Sequence, residues 1–124
     1  MEDMTYEQYQ QMMQGIKPDL TDCPLRSVLE IVQGKWTLRV LFELSKKDSM
    51  RFGELKKQIG GVTNTVLSST LRALEEARLV ERTQYNEIPP HVEYSLSEAG
   101  RQIYPVFIAM VEWGQKYLGK EGQA

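Results

Sequence analysis

The chain has 124 residues, 41% of them hydrophobic and 26% charged, with a net charge of −2, which fits one globular domain with a single core and leaves little room for a separate catalytic domain. The start from Met1 to Gln14 is acidic and polar, and no apolar run approaches the ~18 residues of a spanning helix, so neither a signal peptide nor a membrane segment is expected and the cytoplasm is the expected compartment. A single cysteine, Cys23, and a single histidine, His91, exclude an intrachain disulfide, a cysteine-rich zinc site and a multi-histidine metal centre, and no cofactor or metal is implied.

In chain order, Thr5 followed three residues later by Gln8 is a capping-box pattern that opens a short helix, stopped by Gly15 and Pro18. Pro24 suits a first helical position, and Val28, Leu29, Ile31 and Val32 carry a second helix to Gly34. From Trp36 to Ser45, apolar residues fall on both sides of a helical wheel, which predicts a central, buried helix. Met50 to Phe52 predicts a minimal strand, and Phe52, Leu55 and Ile59 a helix broken by Gly60-Gly61. Thr63 is placed to cap the next helix, where Leu67, Leu71 and Leu74 form a buried stripe opposite Thr65, Ser69, Arg72 and Glu76. Leu79 to Tyr85 and Val92 to Leu96, joined by a turn over Asn86 to Pro90, predict a β-hairpin. Ser97 then caps a final long helix reaching about Leu118, bent at Pro105. The predicted fold class is mainly α with a small β-hairpin: a winged helix-turn-helix. Three segments follow: an N-terminal arm helix for dimerisation over 1–22, the winged domain over 23–118 and a flexible tail over 119–124.

That order of elements gives each part a physical role on duplex DNA. The major groove admits a helix, and base edges are read mainly by the residues at the N-terminal end of the second helix of such a pair. Here those are Asn64, Thr65, Ser68 and Ser69, following Thr63, with Arg72 one turn further on. Arg51, Lys56 and Lys57 are expected along the phosphates, and Arg82 and Asn86 of the hairpin on the adjacent backbone or minor groove. The acidic net charge does not itself point to nucleic acid. Charge is segregated, however: residues 1–30 carry six acids and two bases, residues 31–82 ten bases and six acids. The excess is thin, so specific contacts must do much of the recognition.

Cys23-Pro24, Gly34-Lys35-Trp36, Arg51-Phe52 with Glu54-Leu55, Leu67 to Leu71, Leu74-Glu75, Leu79-Val80 with Arg82, Pro89-Pro90 with Val92-Glu93-Tyr94, and Gly100 resemble the HxlR-type regulators, relatives of MarR. The resemblance covers about residues 23–113, in order and in register, including Trp36, Pro89-Pro90 and Trp113. It implies a winged helix-turn-helix homodimer that binds double-stranded operator DNA and represses or activates nearby genes. The recognition helix of that family is often more basic than Asn64-Thr65, which predicts a lower salt slope for this chain.

The last helix carries Tyr104, Phe107, Val111, Trp113 and Tyr117 on an arc too wide for one small core. We expect these residues, with Tyr6, Tyr9 and Met13 of the arm, at a homodimer interface. Cys23, if it stands at the N-cap of the helix opened by Pro24 and near Arg26, is a candidate sensor of a small electrophile or oxidant; its bland reading is an inert, packed thiol. Some members of the resembling family sense through a cysteine at the matching position, which supports the first reading. His91 reads as an exposed wing residue, with pH sensing or a phosphate contact as its sharper alternative. Trp36 and Trp113 read as buried packing, with an effector pocket as the alternative. An enzyme is not expected, since there is no phosphate loop, metal-ligand pair or nucleophile with a partnered base, and nothing brings Cys23 and His91 together. The alternative to a regulator is a winged helix used as a protein-docking module.

Overall fold

A computed structural model of the chain describes residues 3–19, 21 and 23–119. Two compact units result, Met1–Gln33 and Gly34–Ala124, a division that falls later than the 22/23 boundary expected from sequence. Among the described residues no helix is long and apolar enough to cross a membrane. The expected tail lies, beyond Gly119, outside the described residues.

The first unit holds α1 (Tyr6–Gln14) and α2 (Leu25–Val32). The capping box opens α1 as its spacing predicts: Gln8 N donates to Thr5 Oγ1 at 3.1 Å and Thr5 N to Gln8 Oε1 at 2.9 Å. Tyr6 and Tyr9 stack with centroids 6.3 Å apart. On α2, Leu25, Val28, Leu29 and Val32 recur at i, i+3, i+4 and i+7, and none of its residues is buried. Pro24 itself occupies the N-cap of α2, so Cys23 lies one residue outside the expected cap position.

In the second unit, α3 (Thr37–Leu44) is the central helix that its two-sided apolar pattern predicts, with Val40, Leu41 and Leu44 fully buried. A strand β1 (Met50–Arg51) leads into α4 (Phe52–Ile59), whose first turn is closed by Glu54 accepting from Arg51 N at 3.0 Å. Gly60 and Gly61 adopt φ of 70° and 72°, a conformation that side chains resist, and this sharp turn hands the chain to α5 (Asn64–Glu76). Thr63 caps α5 by accepting from Val66 N at 3.2 Å. Leu67, Leu71 and Leu74 are buried, each contributing about 1.5–3 kcal/mol from its removal from water, and they set which face of α5 remains outside.

The end of α5 is a tight corner. Leu79 N donates to Leu74 O at 3.0 Å and Arg78 N to Glu75 O at 2.9 Å, a Schellman arrangement with Arg78 rather than glycine at φ 62°. From there β2 (Val80–Tyr85) and β3 (His91–Leu96) pair antiparallel, Val80 opposite Leu96 and Tyr85 opposite His91. The hairpin does not stand alone, because β1 pairs with the free edge of β3 and the sheet order is β1-β3-β2.

Ser97 caps α6 (Glu98–Arg101) and also donates its hydroxyl to Arg78 O at 2.7 Å, while Ser97 N donates to Leu79 O at 3.0 Å. The single bent helix expected over 97–118 is two helices, α6 and α7 (Tyr104–Tyr117). Pro105 has no N–H to continue the ladder and its ring excludes the carbonyl four residues back, so it opens α7 in the first turn instead of bending one helix.

One ionic cluster sits in this core. The Glu43 side chain is 2% exposed, with Arg39 Nε 2.9 Å from Oε2 and Lys46 Nζ 2.9 Å from Oε1 in ion-pair contact. Arg39 Nη2 also donates to Gln58 O at 3.0 Å and so ties α3 to the end of α4. Burial pushes the Glu43 carboxyl up, but Lys46 and Arg39 outweigh it and hold it below the ordinary glutamate range.

Two predictions follow from packing. A Cβ at Gly100 would collide with the backbone oxygen of Leu79. Gly100→Ala is therefore expected to lower the unfolding free energy by ~1–3 kcal/mol, read as a lower urea midpoint at unchanged slope; an unchanged midpoint contradicts the packing. Because the Glu43 pKa is lowered by folding, its contribution is complete above the ordinary glutamate pKa and is lost as pH falls through the lowered one. Glu43→Gln should be less stable at neutral pH, with a shallower loss of stability below about pH 5 in thermal melts across pH; a slope equal to the parent's would refute this assignment.

Candidate nucleic-acid interface

The helix pair α4–α5, the turn between them and the β2–β3 hairpin bring together most of the residues singled out from sequence. Asn64, Thr65, Ser68, Ser69 and Arg72 line one shallow depression on the exposed face of α5. Their hydrogen-bonding capacity is unequal. Ser69 Oγ donates back to Val66 O at 3.0 Å, so Ser69 offers outward acceptance only, and Thr70 makes the same backward bond at 2.8 Å. Asn64, Thr65 and Ser68 make no side-chain hydrogen bond within the described chain and present donors and acceptors outward. Thr63 is engaged as the cap, so its hydroxyl oxygen organises the helix start.

The cations sort in the same way. Lys56, Lys57, Arg72 and Arg82 have no ion-pair partner among the described residues. Arg51 stands opposite Glu93 in the β1–β3 ladder, and its positive charge is one of the influences lowering that carboxyl, so Arg51 is less free than the other four. Arg82 lies on β2 opposite Tyr94 and is exposed, as is Asn86 at the start of the hairpin loop. In that loop Ile88 is fully exposed and the Ile88–Pro89 peptide is cis.

His91 departs from its expected place as a plain exposed residue. Its side chain is 14% exposed, stacked on Tyr85 at 4.7 Å, with Nε2 3.0 Å from Glu93 Oε2 and Nδ1 3.9 Å from Glu87 Oε2. Glu93 also accepts from Ser49 Oγ at 2.7 Å, and that bond, followed by His91, keeps its carboxyl below the ordinary range. The hairpin register was the signal for this cluster, since it sets Tyr85 opposite His91.

The residues assigned to a dimer surface divide. Tyr104, Val111, Trp113 and Tyr117 are each about half exposed or more on α7, and Tyr6 and Tyr9 are exposed on α1 with Met13 half-buried. Phe107 is corrected: it is 8% exposed and packs edge-on against Phe42 at 5.4 Å, so its ring serves the core of the Gly34–Ala124 unit. Trp113 is exposed and tilted against Tyr117 rather than buried. Cys23 is half-buried. Arg26, expected to add charge beside it, instead pairs with Glu30 at 3.4 Å.

Comparison with known proteins agrees with this geometry. Residues 31–122 match the model of the HxlR-like helix-turn-helix family, a match that begins after Cys23. The chain is 38% identical over 102 residues to the HTH-type transcriptional regulator BH0655 of Halalkalibacterium halodurans, covering 82% of this chain and 90% of the relative. Among solved structures, a MarR-family transcriptional regulator from Porphyromonas gingivalis W83 superposes with a TM-score of 0.73 at 35% identity, covering 78% of this chain and 94% of that one. The redox regulator HypR in its oxidized form gives 0.69 at 35% identity, covering 76% and 96%. The two exposed arms of the interface, a helix-turn-helix and a three-stranded wing, are thus the shared architecture of a known group of regulators. The chain belongs to the HxlR-like helix-turn-helix family and is a transcriptional regulator of winged-helix type.

Proposed function

We propose that this regulator binds operator DNA as a homodimer, with α5 in the major groove and the β2–β3 wing on the adjacent backbone or minor groove. The observation that carries the reading is the face of α5: uncommitted amide, hydroxyl and guanidinium groups share one depression on a helix whose opposite face is locked in the core. Lys56, Lys57 and Arg82, unpaired among the described residues, supply the phosphate contacts that hold register. The half-exposed aromatic and aliphatic residues of α7, together with Tyr6 and Tyr9, supply apolar surface for a second copy.

A second reading concerns Cys23, and the family likeness to a redox regulator favours it. A half-buried thiol is open to two reactions that change its bulk: addition of its sulfur to an electrophile such as a quinone, or loss of two electrons to an oxidant as it joins a second thiol in a disulfide. Arg26, three residues further along, is engaged by Glu30 at 3.4 Å.

The first test is a gel shift on fragments from the gene's own upstream region across a salt series, beside sedimentation at micromolar concentration. We expect a dimer and one specifically retained fragment, a loss of affinity of about 0.9 log units per phosphate contact for each tenfold rise in salt, and a further loss of ~1–3 kcal/mol in Arg72→Ala. Weak, salt-insensitive retention of every fragment would instead indicate a protein-docking module. For Cys23, treatment with diamide or a quinone should weaken the retained complex in the parent and leave Cys23→Ser unaffected; equal responses in the two proteins would remove the thiol from the account.

A further inference from the structure

The hairpin proposed to lie on DNA carries more acid than base. From Val80 to Leu96 it holds Glu81, Glu87 and Glu93 against one arginine, Arg82. With His91 neutral, three acids and one base give this hairpin a charge of −2, and a proton on His91 halves it. Beside a polyanion, a change of one unit at this place alters the attraction directly.

His91 is placed between two of the three acids, with Nε2 3.0 Å from Glu93 Oε2 and Nδ1 3.9 Å from Glu87 Oε2. Glu93 is anchored from the β1 side, where Ser49 Oγ donates to its Oε1 at 2.7 Å and Arg51 stands opposite it. On β2, Tyr85 stacks on the ring at 4.7 Å, Glu81 shares that face further from the loop opposite Ser95, and Arg82 lies on the other face opposite Tyr94. The helices packed against β3 bring no charge to the ring: on α3 Arg39 and Glu43 pair with each other, and on α4 Glu54 meets Lys47 and the Arg51 N–H. Lys56 and Lys57 of α4, and Glu98 and Arg101 of α6, make no ion pair with His91 either.

A neutral imidazole has one N–H and one lone pair. The shorter contact, to the anchored Glu93, takes the N–H at Nε2, and Nδ1 then turns its lone pair toward Glu87. That leaves the Glu87 carboxylate, 64% exposed, without a donor from the ring in the loop between Asn86 and Ile88. A proton on Nδ1 supplies both a second N–H and a positive charge, so one ring joins both carboxylates. The stacked Tyr85 ring further favours the charged form.

We propose that His91 is a proton-operated control on the wing: protonated, it ties Glu87 of the hairpin loop to Glu93 and lets the loop approach DNA, and neutral, it releases Glu87 toward the phosphates and weakens the complex. The effect on affinity rests on the DNA-binding reading above, whereas the coupling of loop to ring does not. Its sign is fixed by the charge: affinity falls as pH rises through the titration of the ring, and by linkage the complex takes up protons as it forms.

Because His91 is the sole histidine, a window from about pH 5.5 to 7.5 isolates its ring from the ordinary carboxylates and the thiol. The test makes two measurements on the full chain in that window. In the free protein, the ring signal of His91 and the amide signals of Glu87 and Ile88 are followed by NMR. The amides should trace the same curve as the ring in the parent and lose that step in His91→Gln. Loop amides that stay still while the ring titrates, or that keep their step in His91→Gln, would overturn the coupling. On the retained DNA fragment at fixed low salt, affinity should fall about fivefold across the window in the parent and stay nearly level in His91→Gln and Glu87→Gln. Glu87→Gln, which removes the loop carboxylate, should also bind more tightly than the parent at the upper end. As a change at an exposed position it serves as the second variant if a thermal melt shows His91→Gln to be unfolded. Level affinity in the parent, or parent-like pH dependence in both variants, would overturn the control of DNA binding. Failure to find any retained fragment would overturn the DNA-binding reading and with it the effect on affinity, while the NMR result decides the coupling separately.

Discussion

The candidate interface depends on one corner, Arg78-Leu79, where α5 ends and the wing begins. Four hydrogen bonds converge there: Leu79 N to Leu74 O, Arg78 N to Glu75 O, Ser97 Oγ to Arg78 O, and Ser97 N to Leu79 O. They hold a non-glycine residue at φ 62°, a conformation that opposes folding by about 1–2 kcal/mol. Hydrogen bonds of about 1 kcal/mol each offset that strain. Gly100 completes the corner because only hydrogen fits against the Leu79 carbonyl. The direction of α5, the root of the wing at Val80 and Leu96, and the start of α6 are set together, so no one of them moves without the others.

Around that corner the charges fall into two groups. Arg39 and Lys46 surround the buried Glu43 and serve the fold, Arg39 by reaching Gln58 O and fixing α4 against α3. Lys56, Lys57, Arg72 and Arg82 remain unpaired among the described residues. The basic excess of residues 31–82 is therefore smaller at the surface than the count suggests, and in the proposed complex recognition would lean on Asn64, Thr65 and Ser68. Short side chains of this kind bring the helix close to base edges, and they make discrimination depend on geometry more than on attraction.

Local rules in the sequence were enough for much of this. The Thr5–Gln8 box, the Thr63 and Ser97 caps, the glycine pair at 60 and 61 and the leucine stripe of α5 each depend on neighbours within one or two helical turns, and each appears where its spacing places it. The exposed face of α5 follows from the stripe, so the candidate interface was legible as well. What sequence did not show were contacts across long separations. Pairing of β1 with β3 joins Met50 to Tyr94, and burial of Phe107 requires Phe42. The division of the last helix needed a judgement on whether Pro105 bends or begins a helix, which its position in the first turn of α7 decides. His91 was hidden for a different reason: its packing against Tyr85 and Glu93 is a consequence of register, and register is a property of the paired strands. At Cys23, the helix starts one residue later than spacing suggested and Arg26 pairs with Glu30, a partner four residues along the same helix.

The central claim is that α5 reads DNA and the wing accompanies it. Amide chemical shifts of isotopically labelled protein, followed as its retained DNA fragment is added, test this most directly. The account predicts that the largest changes cluster on Asn64, Thr65, Ser68, Ser69 and Arg72, with a second group from Arg82 to Asn86, while Leu67, Leu71 and the rest of the core move little. Changes centred elsewhere, with the α5 face unaffected, would contradict it.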